Sequence, residues 1–488
     1  MKRKHFLIVL LAALVLLAGC SKQGDTNAPA TDGANKLDDT VTRISLSDSG
    51  ITVEGGGAKA QGSTVTIGAV GTYAVSGALS DGQILIDTGD EAVKVSLILD
   101  GVDITNLSGP AIYIRQAQDA RITLAEGSSN KVTSGTEADM SAHSADSSGA
   151  AIYAEDDLDI EGPGALEVRG YINNGIATKD DLDIHSGTIT VLAANNGIRG
   201  AKSVEIKGGE VTVTAGNDGV KSSSAKKEGK GFITVSGGTL TVAAEGDGIS
   251  AETELTVEDG VITVITTGDP DLGSCKALKA QTGITVSGGT LELSAPDHAI
   301  HSAAGVVING GQLSAASTGG KAIAAHGDIL IAGGALSVSA QGDGIETPGN
   351  VTVTGGDVQI IAGDDGVQTG VANSGVGTVT VSGGQVKISA SGKSVNARGE
   401  LLLRGGAVIA LSGSDKAVLP SAGGQSYVNA AYKGAGGDTV SLSAGGEEPI
   451  SLTASWPYKF ALISTPELEA GASYTLSCGI GSVSAIAE

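Results

Sequence analysis

Residues 171–198 read YINNGIATKDDLDIHSGTITVLAANNGI. The string NNGI opens and closes the stretch, and its two glycines, Gly175 and Gly197, stand 22 residues apart. Between them lie short runs that alternate apolar and polar residues, Leu182/Ile184 and Ile189/Val191, separated by a Ser-Gly turn. Alternation of period two is the mark of a strand with one buried face, and nothing in the stretch has the 3.6-residue period of a helix.

Read outward, the same unit recurs. Gly219 follows in NDGV after another 22 residues, and Gly248 in GDGI after 29. Ala277, Ala299, Ala322, Gly344, Gly366, Ser394 and Ala417 continue at steps of 29, 22, 23, 22, 22, 28 and 23. A second signal, glycine before an alternating run, falls at Gly187, Gly209, Gly238, Gly260, Gly289, Gly311, Gly334, Gly356, Gly384 and Gly406. The longer steps are insertions of six or seven residues, near 222–229, 268–275 and 370–376. Three short strands and two tight turns per 22 residues predict an all-β solenoid, a single-stranded parallel β-helix, with each coil stacked on the last at about 4.8 Å. "GPAIYI" and "GAAIYA", with Ala111 and Ala151, are in phase with NNGI, and the gap between them predicts a long loop near 134–148.

Composition agrees. The 488 residues include 76 Gly but only one Trp, eight Tyr and three Phe, because valine, isoleucine, leucine and alanine suffice to fill a narrow bore. A formal charge of −24 makes nucleic acid and anionic lipid poor partners. Lys2, Arg3 and Lys4 precede an apolar run from Phe6 to Leu17 that ends in LAGC, residues 17–20. This reads as a lipoprotein signal peptide over 1–19, with Cys20 the lipidated residue, followed by a flexible tether to residue 43. The helix is expected over 44–419, with an N-terminal cap in its first part. A C-terminal β cap is expected over 420–488, where half of the aromatic residues gather. The expected address is the outer face of the cell membrane. Cys275 and Cys478 leave one disulfide open but no framework.

Stacking turns periodicity into columns, and two columns invite chemistry. The residue before each small one gives Asn174, Asn196, Asp218, Asp247, Lys276, His298, Lys321, Asp343, Asp365, Lys393 and Lys416. These are expected to point outward. Asn174, Asn196, Asp218, Asp247, Asp343 and Asp365, with the neighbouring Arg199 and Lys221, are the candidate ligand-binding residues. The second column set comes from AEDDLDIEG and TKDDLDIHSG: Asp156 and Asp157 over Asp180 and Asp181, and Asp159 over Asp183, with Asp119 and Glu161 near. Six stacked carboxylates repel one another, and Ca2+ takes six to eight oxygens, so these six are the candidate Ca2+ ligands, with Asn173 and Asn174 able to complete the set. No zinc spacing, Walker motif or GxSxG occurs, and no catalytic residue is assigned.

The ordered segments VTIGAVGTYAVSGALSDGQILID (65–87), LILDGVDITNLSGPAIYI (97–114), RITLAEGSSNKV (121–132), 171–198, GDGISAETELTV (246–257) and PYKFALISTPELEAGASYTLSCG (457–479) resemble the bacterial carbohydrate-binding-domain family of right-handed parallel β-helices. The resemblance spans about residues 44 to 479. It implies a calcium-containing surface protein that binds polysaccharide, acidic and polygalacturonate-like or cellulosic, without catalysis. Two alternatives stand beside it. One is a Ca2+-dependent pectate-type lyase, whose base would come from Lys179, Arg199 or Lys221 near the Asp cluster. The other is an adhesin or stalk without sugar affinity.

Overall fold

The computed structural model describes residues 41–89, 94–141, 149–225, 229–370, 375–416, 419–443 and 450–488. The signal segment, Cys20, most of the tether, Ala417 and parts of the expected loop and insertions lie outside them.

Within these residues the 22-residue period becomes a parallel β-solenoid of about 13 turns. One coil consists of Ile176–Thr178, Asp181–Ile184 and Thr188–Ala193, and the next of Ile198–Gly200, Ser203–Ile206 and Glu210–Ala215. Their registers are residue for residue: Ile176 on Ile198, Leu182 on Val204, Val191 on Val213. The coil thus has three faces, called first, second and third in chain order. First-face strands form a 15-stranded sheet. The other two faces join into one 28-stranded sheet because Lys94–Asn106 at one end and Val379–Ala390 and Leu401–Ser412 at the other run unbroken through both.

Packing follows from alternation. Ile176, Ile198, Val220, Ile249, Leu278 and Ile300 stack in one fully buried inward column. Each such side chain contributes roughly 1.5–3 kcal/mol relative to leaving it in water. The turns explain the glycine pattern. Gly209 and its stacked equivalent Gly238 have φ of 86° and 80°, a region that other residues enter only under strain. At Gly197 the need is space: a β-carbon there would meet Val213 and the backbone of Gly219.

The stack continues across each insertion, and a hydroxyl closes the insertion's neck. Ser222 Oγ donates to the carbonyl of Gly231 at 2.5 Å, Thr266 Oγ1 to Cys275 at 2.7 Å and Thr369 Oγ1 to Gly377 at 2.8 Å. The expected long loop carries a 3-10 turn, Glu137–Ser141.

The solenoid starts earlier than a cap over its first strands would suggest, since Thr64–Ile67 already stacks in parallel on Gln83–Asp87. Only Thr52–Glu54 and Ala58–Gln61 pair antiparallel there. Ala58–Gln61, polar and largely exposed, is the edge strand, which discourages pairing with another chain. At the other end, Tyr458–Ser464 pairs antiparallel with the last coil strand and with Tyr427–Gly434. A four-stranded antiparallel sheet follows, and its own apolar cluster includes buried Tyr458 and Leu476. Cys275 and Cys478 are buried and unbridged.

Candidate functional site

The corner before the first face carries the Asn/Asp ladder, and the ladder is turned inward. Asn174, Asn196, Asp218, Asp247, Asp343 and Asp365 are all buried, at 1 to 8 % exposure. This corrects the expected outward orientation. Each ladder residue stands two positions before an inward Ile or Val, so alternation places both on the same side. The side-chain oxygen of one coil accepts the backbone N–H of the next: Asn174 from Asn196 at 3.1 Å, Asn196 from Asp218 at 3.3 Å, Asp218 from Asp247 at 2.8 Å, Asp247 from Lys276 at 2.9 Å. Asp343 accepts from Asp365 at 3.0 Å, and Asp365 from Lys393 at 2.7 Å. A buried N–H without a partner is costly, and the ladder supplies one at a corner. Asn173 is committed side chain to side chain, its Oδ1 accepting from Asn195 Nδ2 at 2.8 Å.

The basic residues on the first face are paired. Lys221 lies 2.5 Å from Asp218, Lys279 2.7 Å from Asp247, Lys276 2.5 Å from Asp297 and Lys321 3.1 Å from Glu346. Arg199, in register with Lys221, donates to Ser223 Oγ at 3.0 Å, and burial pulls its pKa down. Lys179 pairs with Glu155 at 2.8 Å, and that hydrogen bond holds its ammonium above the usual range. Asp343 differs from its ladder neighbours. Burial, then a hydrogen bond shared with Glu346, pushes its carboxyl up to about 7.

The Asp cluster sits on the second face. Asp159 stacks on Asp183, and Asp157 on Asp119, so Asp119 belongs to the Asp157 column. Asp181 N–H donates to Asp157 Oδ1 at 3.2 Å, continuing that column, which then runs through Ser203 to Phe232. Five of the six candidates, joined by His185, fall into two groups whose ligand atoms lie within 4.8 Å of one another: Asp157, Asp180 and Asp181, and Asp159, Asp183 and His185. Asp156 belongs to neither group. His185 escaped the sequence reading, although DLDIH places it two residues past Asp183.

Cations from neighbouring coils enter the patch. Lys94 reaches Asp119 at 2.7 Å, Arg121 reaches Asp159 at 3.1 Å and Glu161 at 3.6 Å, and Lys207 reaches Asp183 at 2.6 Å and Glu205 at 3.2 Å. Lys202 pairs with Asp180, and Lys230, at the neck of an insertion, lies 3.8 Å from Asp181. Nine carboxylates (Asp119, Asp156, Asp157, Asp159, Glu161, Asp180, Asp181, Asp183 and Glu205) thus face five cations. Burial, with Asp181 and Asp156 close by, pushes Asp157 up. Burial also opposes ionisation of Asp159, but hydrogen bonds from His185 and Arg121 overcome it and hold that carboxyl down. Asp180 Oδ1 is buried and has no hydrogen-bond partner among the described residues, and Lys230 Nζ lies 4.0 Å from it. An open cleft of about 330 Å3 lies over the patch, lined by Asp157, Asp181, Ser203, Lys230 and Phe232 among others. An oxygen-rich, undercompensated group with an orphaned buried oxygen fits a hard divalent cation.

The third face offers a different surface. Glu292, Ser314, Ser337 and Gln359 stack in register above a shallow trough of about 440 Å3.

The family model for carbohydrate-binding domain-containing proteins matches residues 61–322 and 318–453. The chain belongs to that family. A carbohydrate-binding domain-containing protein of Acetivibrio thermocellus is 36 % identical over 200 residues, which cover 38 % of this chain and 65 % of that relative. The match thus spans less than two thirds of the relative's length. A solved structure, of the polysaccharide lyase-like protein from C. thermocellum as a gadolinium derivative, is 33 % identical and aligns over 51 % of this chain and 96 % of its own, with a TM-score of 0.44. Against the family match, the carbohydrate-binding-domain resemblance holds.

Proposed function

We propose that this protein is a lipid-anchored, non-catalytic polysaccharide-binding protein of the cell surface that takes acidic, uronate-rich glycans together with Ca2+. The observation that carries the reading is the second-face column Asp119, Asp157, Asp181, Ser203, Phe232, which lines the open cleft with carboxylates at one end and an aromatic ring at the other. A linear polymer laid along the solenoid would meet one column residue per coil, about 4.8 Å apart. Asp157, Asp180 and Asp181 would hold the ion, which when bound supplies the positive charge that lets an acidic protein meet an acidic chain. Lys230 would pair with a uronate carboxylate, and Phe232 would offer its ring to an apolar sugar face.

Binding without chemistry is favoured by the state of two of the three candidate bases. Lys179 and Lys221 are engaged with Glu155 and Asp218 away from the cleft, and Lys179 is held protonated. The test is retention on immobilised polygalacturonate with Ca2+ and with chelator, alongside the absorbance of unsaturated products. Retention that needs Ca2+ and weakens about tenfold in Phe232→Ala and Lys230→Ala supports the reading. Retention indifferent to chelator and to both variants rejects it, and product formation would make the protein a lyase.

A further inference from the structure

We infer that the first face carries a second glycan track, independent of Ca2+, on which Arg199, Lys221 and Lys279 take the carboxylates of a polyuronate chain. The ligand class rests on the glycan reading above; the place does not.

Register draws the track. Arg199 stacks on Lys221, Lys221 on Ser250 and Ser250 on Lys279, one outward residue per coil. Three cations therefore stand in one column over about 14 Å, along the direction in which a linear polymer would lie. The column ends on uncharged neighbours. Ala177 precedes Arg199 and is fully buried. His301 follows Lys279, and burial, then the nearby Lys276, pulls its pKa down to about 4, so it is neutral at pH 7.

Charge is layered in depth. Lys221 and Lys279 each meet a ladder carboxylate, but the carboxylates lie beneath. The Asp218 and Asp247 side chains are 6 and 2 % exposed, against 30 and 23 % for the two lysines. Solvent thus meets ammonium heads along this column, in a chain whose formal charge is −24, while over the second-face cleft it meets carboxylates. An ammonium has three donors. Lys221 spends one on Asp218, and Lys279 spends two, on Asp247 and Ser274, so each keeps one for a ligand.

Arg199 is the anchor. Its guanidinium is half-buried and donates to Ser223 Oγ, yet among the described residues no carboxylate pairs with it. Hydrogen bonds to carboxylates hold Arg121, Arg169 and Lys179 above their ordinary range, whereas burial draws Arg199 below its own. A partly desolvated cation without a counter-charge is costly, and a carboxylate from outside would relieve it. The guanidinium has five N–H donors, Ser223 takes one, and the planar fork matches a carboxylate with two parallel hydrogen bonds. An acidic chain would seat at Arg199 and run past Lys221 to Lys279.

The test titrates the full chain in chelator with an oligogalacturonate at low salt, by calorimetry. Binding that fades as salt rises, weakens about tenfold in Arg199→Gln and less in Arg199→Lys, and is absent for the methyl-esterified oligomer supports the inference. Lys387→Ala, which removes one cation from the third face, should change it by less than about twofold. No binding in chelator, binding unaltered in Arg199→Gln, a loss matched by Lys387→Ala, or binding of inorganic phosphate as tight as that of the oligomer overturns it. Removing an unpaired guanidinium should leave the melting curve in place or raise it, so lost binding reads as a lost site. Any gain on adding Ca2+ belongs to the second-face cleft, and its absence would sink that reading while leaving this track.

Discussion

The corner ladder and the second-face patch are both made of stacked Asp and Asn, one per coil, yet they behave as opposites. In the ladder one oxygen of each side chain is spent on the next coil's N–H, so the protein is its own ligand there. In the patch the backbone is largely paired strand to strand, Asp157 alone accepting the N–H of the next coil's Asp181 among the described patch residues, and the carboxylates meet cations instead. Position relative to strand and corner, more than residue type, decides whether an aspartate is structural or available.

That contrast can be broken by experiment, starting with the largest expected effect. Asp247→Ala removes the acceptor for Lys276 N–H and strands Lys279, so it should cost about 3 kcal/mol of stability in urea unfolding, equally with Ca2+ and with chelator. A cost below about 1 kcal/mol would mean that the ladder is dispensable. In the patch, Asp180→Asn with Asp181→Asn should leave stability in chelator nearly unchanged. It should erase a Ca2+-dependent gain of about 2–3 kcal/mol at an ion concentration near a hundred times Kd. If wild type melts at the same temperature with and without chelator, the Ca2+ assignment goes.

The pH dependence should carry opposite signs in the two regions. Asp343 is pushed up to about 7 from an ordinary 3.8, so the folded state holds a proton that the unfolded state has lost. Its contribution is present below about pH 4 and fades as pH rises to about 7. Asp343→Asn keeps the acceptor for Asp365 N–H and should therefore gain on the order of 1–2 kcal/mol at pH 8 and flatten that slope. A slope identical to wild type would deny the shift. Asp159, held down by His185 and Arg121 against its burial, contributes stability above its unfolded pKa that is lost as pH falls. The smallest effect is expected on the third face, where Ser314→Ala with Ser337→Ala should change polygalacturonate retention by less than about twofold. A larger loss would move the glycan from the acidic cleft to the trough.

Much of this was legible beforehand because glycine and alternation act locally. Gly187 through Gly406 fall at positive φ in register, and the apolar positions between them form the bore. The Asp157 and Asp159 columns could be written down from the 24-residue offset alone. The ladder's direction is less legible, because an outward side chain is expected only next to an inward Ile or Val, and that residue stands two positions on. Partner choice was hidden for another reason. Lys230 reaches Asp181 from the neck of an insertion, and Arg121 reaches Asp159 from the preceding coil, so both depend on how loops and long side chains settle in space. Lys179 and Lys221, near the cluster in sequence, are drawn instead to Glu155 and Asp218.

Because each coil touches chiefly the one before and the one after, whole coils are interchangeable parts. Gene duplication or excision of a single 22-residue unit between the acidic patch and the carboxy-terminal plug would shift one relative to the other by about 4.8 Å while leaving every surviving contact in step. Descent can thus tune the reach of such a molecule in fixed increments, without redesigning either end.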